Sequence, residues 1–194
     1  MKKIITLIVL LSVTAHAKDA AIKINGGQIS TNGVEMVLLP MPGSFYDPNE
    51  FILVFRNAKT KELVGADTIE QFGGKFTATD LPIKTVLWSP NGDYVAFDLR
   101  TERHYTRIFI YKIKDGISQI TLPDYWNEIK KQIDSTAEFR GGGQRPIRWI
   151  DNTHIELSEE GTMRDFKEYG LKVTLQIAGT NAVFIDVKKE DDKN

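Results

Sequence analysis

The sequence predicts an all-β protein built mainly from antiparallel meanders, with one short helix near residues 124–135. Apolar and polar residues alternate with period two along much of the chain, which is typical of half-buried strands. Short sequences rich in Gly, Asn, Asp and Pro separate these runs, as tight turns do. The length of 194 residues fits one domain. The pattern leaves three arrangements open: an open or curled sheet, a two-sheet sandwich, and a propeller-like fold.

Residues 1–17 have the three parts of a secretory signal peptide. Lys2 and Lys3 precede the apolar run Ile4–Val13, and the small residues Ala15 and Ala17 predict cleavage after about Ala17. The apolar run is about half the ~20 residues that span a bilayer, so we expect cleavage rather than a membrane anchor. The predicted location is periplasmic or secreted, with one β-rich domain over residues 18–187.

Composition excludes several classes of function. The formal net charge is -1 and both signs are interspersed, so no nucleic-acid surface is predicted. The chain has no cysteine, which excludes disulfides, thiolate metal sites and a lipid-modified cysteine. We expect no cofactor, and oligomeric state is not predictable from these features.

The first strands of the predicted domain are apolar on both faces. Val34–Leu39 and Phe51–Phe55 have the continuous apolar character of central strands covered on each side. We therefore expect them to form the core. The turn-rich segment between them, from Met41 to Pro48, is predicted to be a loop.

A run of consecutive strands joined by short turns follows, which predicts an antiparallel meander. Along its second strand, Val95, Phe97 and Leu99 alternate with Tyr94, Ala96 and Asp98, so the two sets should face opposite ways. The predicted strands are Ile83–Trp88, Tyr94–Arg100, Tyr105–Ile113 and Ile117–Leu122.

One segment departs from the β pattern. Asp124 can cap a helix in which Trp126, Ile129 and Ile133 lie at helical spacing. We expect this helix, over residues 124–135, to cover a sheet face or an open edge.

The C-terminal sequence predicts a β-hairpin. Leu171, Val173, Leu175 and Ile177 share one face of the first strand, and Val183, Ile185 and Val187 share one face of the second. Residues 188–194 are predicted to be a disordered charged tail.

The segment Val86–Phe97, with the sequence VLWSPNGDYVAF, resembles the repeat of TolB-type and related WD-like β-propellers. Asn91 stands where that repeat usually has aspartate, and either residue can cap the turn. With the strand and turn that follow, the resemblance covers about one blade, residues 83–122. It implies structural roles for Trp88 and Gly92, and it implies a scaffold for protein contacts.

Two segments match the repeat more weakly, at residues 52–63 and 148–157. A closed propeller needs at least about four blades of about forty residues. One clear repeat does not supply them, so a complete propeller is not predicted.

No catalytic or metal-binding motif is present. The sequence has no Gly-x-Ser-x-Gly elbow, His-Glu-x-x-His helix, phosphate loop or calcium loop. His104 and His154 lie far apart, so they do not predict a metal site and are expected at the surface. Ser89 is expected to hydrogen bond within its own turn.

Two basic segments are candidate binding sites for an anionic group. One surrounds a predicted hairpin turn and contains Arg100, Arg103, His104 and Arg107. The other, Arg140–Arg145, contains a glycine triplet and is predicted to be a mobile loop whose backbone could approach an anion between two guanidinium groups.

An aromatic loop is the third candidate surface. Phe45 and Tyr46 lie in a Gly/Pro-rich segment and could anchor a partner at low entropic cost, or fold back over the core.

These observations favour an exported, non-enzymatic β-protein that binds a protein or an envelope component through loops or sheet edges. Two alternatives remain. One is a hydrolase using carboxylates such as Asp98 and Glu102, which a concave pocket with convergent acids and raised pKa values would favour. The other is an inhibitor of an extracellular hydrolase, with Gly43–Asp47 as the protruding loop.

Overall fold

The structure is a computed structural model that describes residues 29–40, 50–70, 83–102, 105–133 and 138–190. The signal sequence and the loops containing Phe45, Tyr46, Arg103 and His104 lie outside these ranges. The elements are β1 (Val34–Pro40), β2 (Glu50–Asn57), β3 (Leu63–Glu70), β4 (Ile83–Trp88), β5 (Tyr94–Glu102), β6 (Tyr105–Lys112), β7 (Ser118–Gln119), α1 (Tyr125–Gln132), β8 (Phe139–Trp149), β9 (His154–Met163), β10 (Glu168–Ala178) and β11 (Asn181–Lys189).

These strands form three successive antiparallel meanders. The first is the separate sheet β1-β2-β3. The second, β4 to β7, and the third, β8 to β11, share an eight-stranded sheet because β6 and β8 pair in parallel. That parallel pairing is short and joins Tyr105 to Gly142 and Thr106 to Gly143.

The core consists of apolar layers between and beside the meanders. One layer joins the first meander to the second, with Leu53, Phe55 and Phe97 among its fully buried side chains. Another joins the second meander to the third and includes Ile110 and Leu157. A smaller cluster, Val37, Leu39, Ile52 and Val54, lies on the other face of the first sheet.

The meanders stack face to face, and among the described residues they do not close into a ring. The fold is therefore all-β and propeller-like, which is one of the three arrangements that the sequence predicts. The expected alternation along β5 is confirmed, because Phe97 and Ala96 face different layers. The expectation of two central strands is half right: β2 is central, whereas β1 is an edge strand of its sheet, although both of its faces are buried.

The turn after β4 is held by its own side chains. Ser89 Oγ donates to Asn91 Oδ1 at 2.8 Å and accepts from Tyr94 N–H at 3.0 Å. Gly92 adopts a φ of 72°, which favours glycine. The expectation that Ser89 bonds within its turn is confirmed.

Helix α1 packs against the layer between the second and third meanders. Ile129 is buried in that layer and Ile133 packs against it, as the helical spacing predicts. Its observed bounds, Tyr125–Gln132, fall within the predicted range. The preceding segment is less regular than predicted, since β7 contains only Ser118 and Gln119.

The C-terminal hairpin is present, but the predicted face of its second strand is wrong. A bulge between Thr174 and Leu175 shifts the register, so Phe184 and Val187 pack inward. Val183 and Ile185 are instead 44% and 54% exposed. Lys188 and Lys189 also pair with β10, so the start of the predicted tail belongs to the strand.

Candidate functional site

A cleft of about 610 Å³ lies at the short junction of β6 and β8. We call it the junction cleft. Its lining combines cationic, anionic and hydroxyl side chains with bare glycine backbone. The lining residues are Lys84, Asp98, Thr106, Arg140, Gly141, Gly142, Gly143, Arg145, Glu160, Gly161, Thr162, Glu168 and Tyr169.

The glycine triplet in this cleft belongs to strand β8, which corrects the prediction of a mobile loop over Arg140–Arg145. A Cβ at Gly142 would lie 2.1 Å from the backbone oxygen of Glu160, and one at Gly143 would lie 3.1 Å from Thr106 Cβ. The triplet therefore lets β8 approach both neighbouring strands. Strand packing, rather than mobility, is the physical reason for glycine here.

The structure brings Arg140 and Arg145 to the same cleft. The Arg140 guanidinium lies 4.6 Å from the ring centroid of Phe166. Arg145 is paired with Glu160, and both of these side chains are about half exposed. Lys84, from β4, adds a third cationic side chain to the lining.

The other predicted basic group is not assembled in this cleft. Arg107 lines a neighbouring cleft of about 620 Å³, and its guanidinium lies 5.6 Å from the ring centroid of Tyr105. Arg100 lies on β5 opposite Thr106 and lines neither cleft. The predicted binding residues Arg103, His104, Phe45 and Tyr46 lie outside the described residues, as does the proposed inhibitory loop Gly43–Asp47.

Asp98 has a structural role at the edge of the cleft. Its side chain is 0% exposed, and Oδ1 accepts backbone hydrogen bonds from Lys84 at 3.1 Å and Thr85 at 2.5 Å. These two residues form a bulge of β4, where the strand ladder is interrupted. Burial raises the pKa of Asp98, although the two backbone N–H groups oppose that effect. Glu102, its suggested catalytic partner, ends β5, and its side chain lies outside the described part of the structure.

A second buried carboxyl group, Glu159, was not predicted. It is 1% exposed on β9, and the Tyr169 hydroxyl donates to its Oε1 at 3.3 Å. Burial raises its pKa to about 7, opposed by hydrogen bonds from Gln144 and Tyr169. The sequence did contain a signal: Glu159 continues the core-facing alternation of Ile155 and Leu157.

The described ranges contain no group of three or more His, Cys, Asp or Glu residues placed to hold a metal ion. They also contain no helix with the length and apolar character needed to cross a membrane. His154 is partly exposed, and its Nδ1 lies 2.8 Å from Asp151 Oδ2.

Comparison with known proteins places this chain in no family. No family model matches, and no curated protein matches. Among solved structures, the chain is similar to the acylaminoacyl peptidase of Pyrococcus horikoshii, with 12% identity and a TM-score of 0.46. It is also similar to the β-propeller domain of the Trilobed protease from Pyrococcus furiosus, with 13% identity and a TM-score of 0.43. Each similarity covers 90% of this chain but only 25% and 44% of those chains, respectively.

Proposed function

We propose that this chain is an exported, non-enzymatic protein that binds a protein or an envelope component, and that the junction cleft receives an anionic group of that partner. The export part of the proposal depends on residues 1–17, whose sequence has the parts of a signal peptide. The Val86–Phe97 segment supports the binding part, because the propeller repeats it resembles serve as scaffolds for protein contacts.

The observation that carries the proposal is the convergence of Arg140, Arg145 and Lys84 on one cleft. A guanidinium group can donate two parallel hydrogen bonds to a carboxylate or phosphate, so two of them favour an anionic ligand. The volume of about 610 Å³ is within the usual range for small-ligand sites.

The pairing of Arg145 with Glu160 does not prevent such binding. Both side chains are about half exposed, and ion pairs of this kind contribute roughly 1 kcal/mol or less. A ligand anion can therefore replace Glu160 as the partner of Arg145 at small cost. The described contact of Arg140 is with the Phe166 ring rather than with a carboxylate, so an anionic ligand does not have to displace an ion pair there.

The experiment measures inorganic phosphate binding by NMR titration, following the backbone amides of Gly141–Gly143. We expect the double variant R140A/R145A to weaken binding by about tenfold or more, since it removes two charge-assisted contacts. The control is R148A on the same strand, whose side chain lines neither cleft. It should bind phosphate as the wild type does.

Partner capture is the second measurement. Wild-type protein should recover a partner from periplasm or culture medium, and R140A/R145A should recover less of it. The proposal of an anion site is overturned if the wild type binds no phosphate or if the double variant binds it equally well. Failure to capture anything across several salt concentrations would contradict the proposal of a protein partner.

A hydrolase is the second candidate function, and the position of Asp98 favours it. This carboxyl group lines the junction cleft and has a raised pKa, as a general acid requires. Binding is favoured over catalysis because the Asp98 side chain is fully buried and Oδ1 already accepts two backbone hydrogen bonds. Hydrolysis of peptide or glycoside substrates that D98N abolishes, without loss of folding, would reverse this preference.

A further inference from the structure

Two buried carboxyl groups in the described structure have an oxygen without a hydrogen-bond partner. They are Asp98, through Oδ2, and Glu159, through Oε2. Both side chains are almost completely excluded from solvent. A buried carboxylate without compensating contacts costs several kcal/mol, so such oxygens need a physical explanation.

The strand registers place these two groups in the same layer between the second and third meanders. Asp98 lies opposite Ile108 in the pairing of β5 with β6. The Ile108 N–H donates to Gln144 Oε1 at 3.2 Å, and Gln144 lies opposite Glu159 in the pairing of β8 with β9. The layer therefore connects the two meanders through polar groups, directly beside the junction cleft.

The groups around Glu159 do not neutralise its charge. Gln144 on β8 and Tyr169 on β10 donate hydrogen bonds to it, and Asp98 on β5 is a second carboxyl group in the same layer. Among the described residues, the other charged and titratable side chains of the junction include Lys84 on β4, Arg100 on β5, Tyr105 and Arg107 on β6, Arg140 and Arg145 on β8, Glu160 on β9 and Glu168 on β10. Arg145 is paired with Glu160, on the solvent side of β9.

We propose that the protonation state of Glu159 controls how tightly the second and third meanders hold together at the junction cleft. When it is protonated, Glu159 is neutral and compatible with the dry layer. When it is ionised, its Oε2 draws water into the layer and loosens the contact that passes through Gln144 and Ile108. This regulation rests on the proposed function only in that it acts on the cleft where the anion would bind.

The raised pKa of about 7 for Glu159 determines how opening of the layer depends on pH. Opening of the layer exposes Glu159 to water and returns its pKa to near 4.5, so the closed state holds more protons between pH 4.5 and 7. Opening therefore becomes easier as pH rises through that range. Between pH 5 and 7, we expect an increase in the open population of roughly tenfold or more.

The experiment measures hydrogen exchange of the full chain at pH 5 and pH 7, after correction for the intrinsic exchange rates. Protection of the Ile108 amide and of the β9 and β10 amides near Glu159 should fall by at least about tenfold. Amides of β2 should change less, because that strand packs in the other layer. In E159Q the dependence on pH should become much smaller, whereas the matched control E156Q on the same strand should retain it.

Equal protection at both pH values in the wild type would overturn the proposal, and so would an unchanged pH dependence in E159Q. If E159Q does not fold, the ionisation of Glu159 in the wild type can be followed by carboxyl carbon NMR. A midpoint near 4.5 would then overturn the proposal, while a midpoint near 7 that coincides with the loss of protection would support it. Phosphate binding is measured separately, so its failure would not affect this result.

Discussion

At the scale of single residues, the tightest constraint is the close approach of backbones where β6, β8 and β9 meet. Gly142 allows β8 to lie against β9, because a Cβ there would be 2.1 Å from Glu160 O. That oxygen belongs to backbone in a paired strand, so it cannot move without disturbing the ladder. The junction cleft depends on this contact for its shape.

We therefore predict that G142A destabilises the protein by about 2–3 kcal/mol or more, because β8 and β9 must separate to accept the methyl group. Urea unfolding measures the change. The control is G170A on β10, where a Cβ would meet only the Glu190 side chain at 3.3 Å. G170A should cost much less, and equal losses in the two variants would contradict this explanation.

Some features of the site residues could be predicted from the sequence, whereas their hydrogen-bond partners could not. The alternation along β9 places Glu159 on the face of Ile155 and Leu157, so its burial could be predicted from the sequence. Asp98 lies on the face of β5 opposite the apolar set, so alternation does not predict its burial. The neighbours that determine their hydrogen bonds lie on other strands, at separations such as the 36 residues between Ile108 and Gln144. Local patterns contain no information on such distant pairings.

At the scale of elements, the second and third meanders are joined by Trp149 as well as by the polar layer. Its indole Nε1–H donates to Leu87 O on β4 at 3.0 Å, and its ring stacks on Tyr94 at a centroid distance of 6.0 Å. This contact lies near the turn Ser89–Asp93, at the start of β5, whereas Asp98 lies in the middle of that strand. The two meanders are thus held together at two separate places in their shared layer.

We predict that W149F destabilises the protein by about 1–2 kcal/mol, because the Leu87 carbonyl loses its donor while an aromatic ring remains beside Tyr94. Y94L tests the other half of the contact, since it removes the ring stacking and leaves the indole hydrogen bond. Thermal unfolding of both variants separates the two contributions. An unchanged midpoint in W149F would mean that water replaces the indole donor without loss.

The elements differ in how well their sequences predict them. Helix α1, the meander from β4 to β6 and the C-terminal hairpin follow clear periodicity and turn residues, and the structure contains them. The Arg140–Arg145 part of β8 has the sequence character of a loop, because its glycine triplet removes the side-chain alternation that indicates a strand. The exposed face of β11 depends on a bulge, which shifts alternation at a position that the sequence does not reveal.

At the scale of the whole molecule, the stacking of meanders could be predicted only in part. One repeat with propeller character indicated a blade-like unit, but whether the sheets close depends on how many units stack and at what angle. The apolar residues on both faces of β1 and β2 did indicate packing on two sides, and the structure buries both faces. Closure is a property of contacts between meanders, so no single segment could predict it.

The last prediction concerns the stability of the whole molecule, which should decrease as pH rises from about 4.5 to 7. The folded-state pKa of Glu159 is about 7 against an ordinary value of 4.5, so folding takes up a proton in this range. The contribution of Glu159 to the free energy of unfolding, about 3 kcal/mol, is fully present below pH 4.5 and is lost as pH rises through 7. Burial raises the pKa of Asp98 as well, so its contribution has the same sign.

Groups that make the protein more stable as pH rises have smaller effects than Glu159. The Arg56 and Lys61 side chains lower the pKa of Glu35. Ionised Glu35 therefore stabilises the folded protein above the ordinary pKa of a glutamate, and this contribution is lost in acid. It is small because both ion pairs are partly exposed. Urea unfolding at pH 5 and pH 7.5 tests the net effect. We expect a lower midpoint at pH 7.5 in the wild type and a much smaller difference in E159Q, where only the contribution of Asp98 remains. A wild type that is more stable at pH 7.5 would mean that Glu159 is ionised in the folded protein, with an undetected partner for its charge.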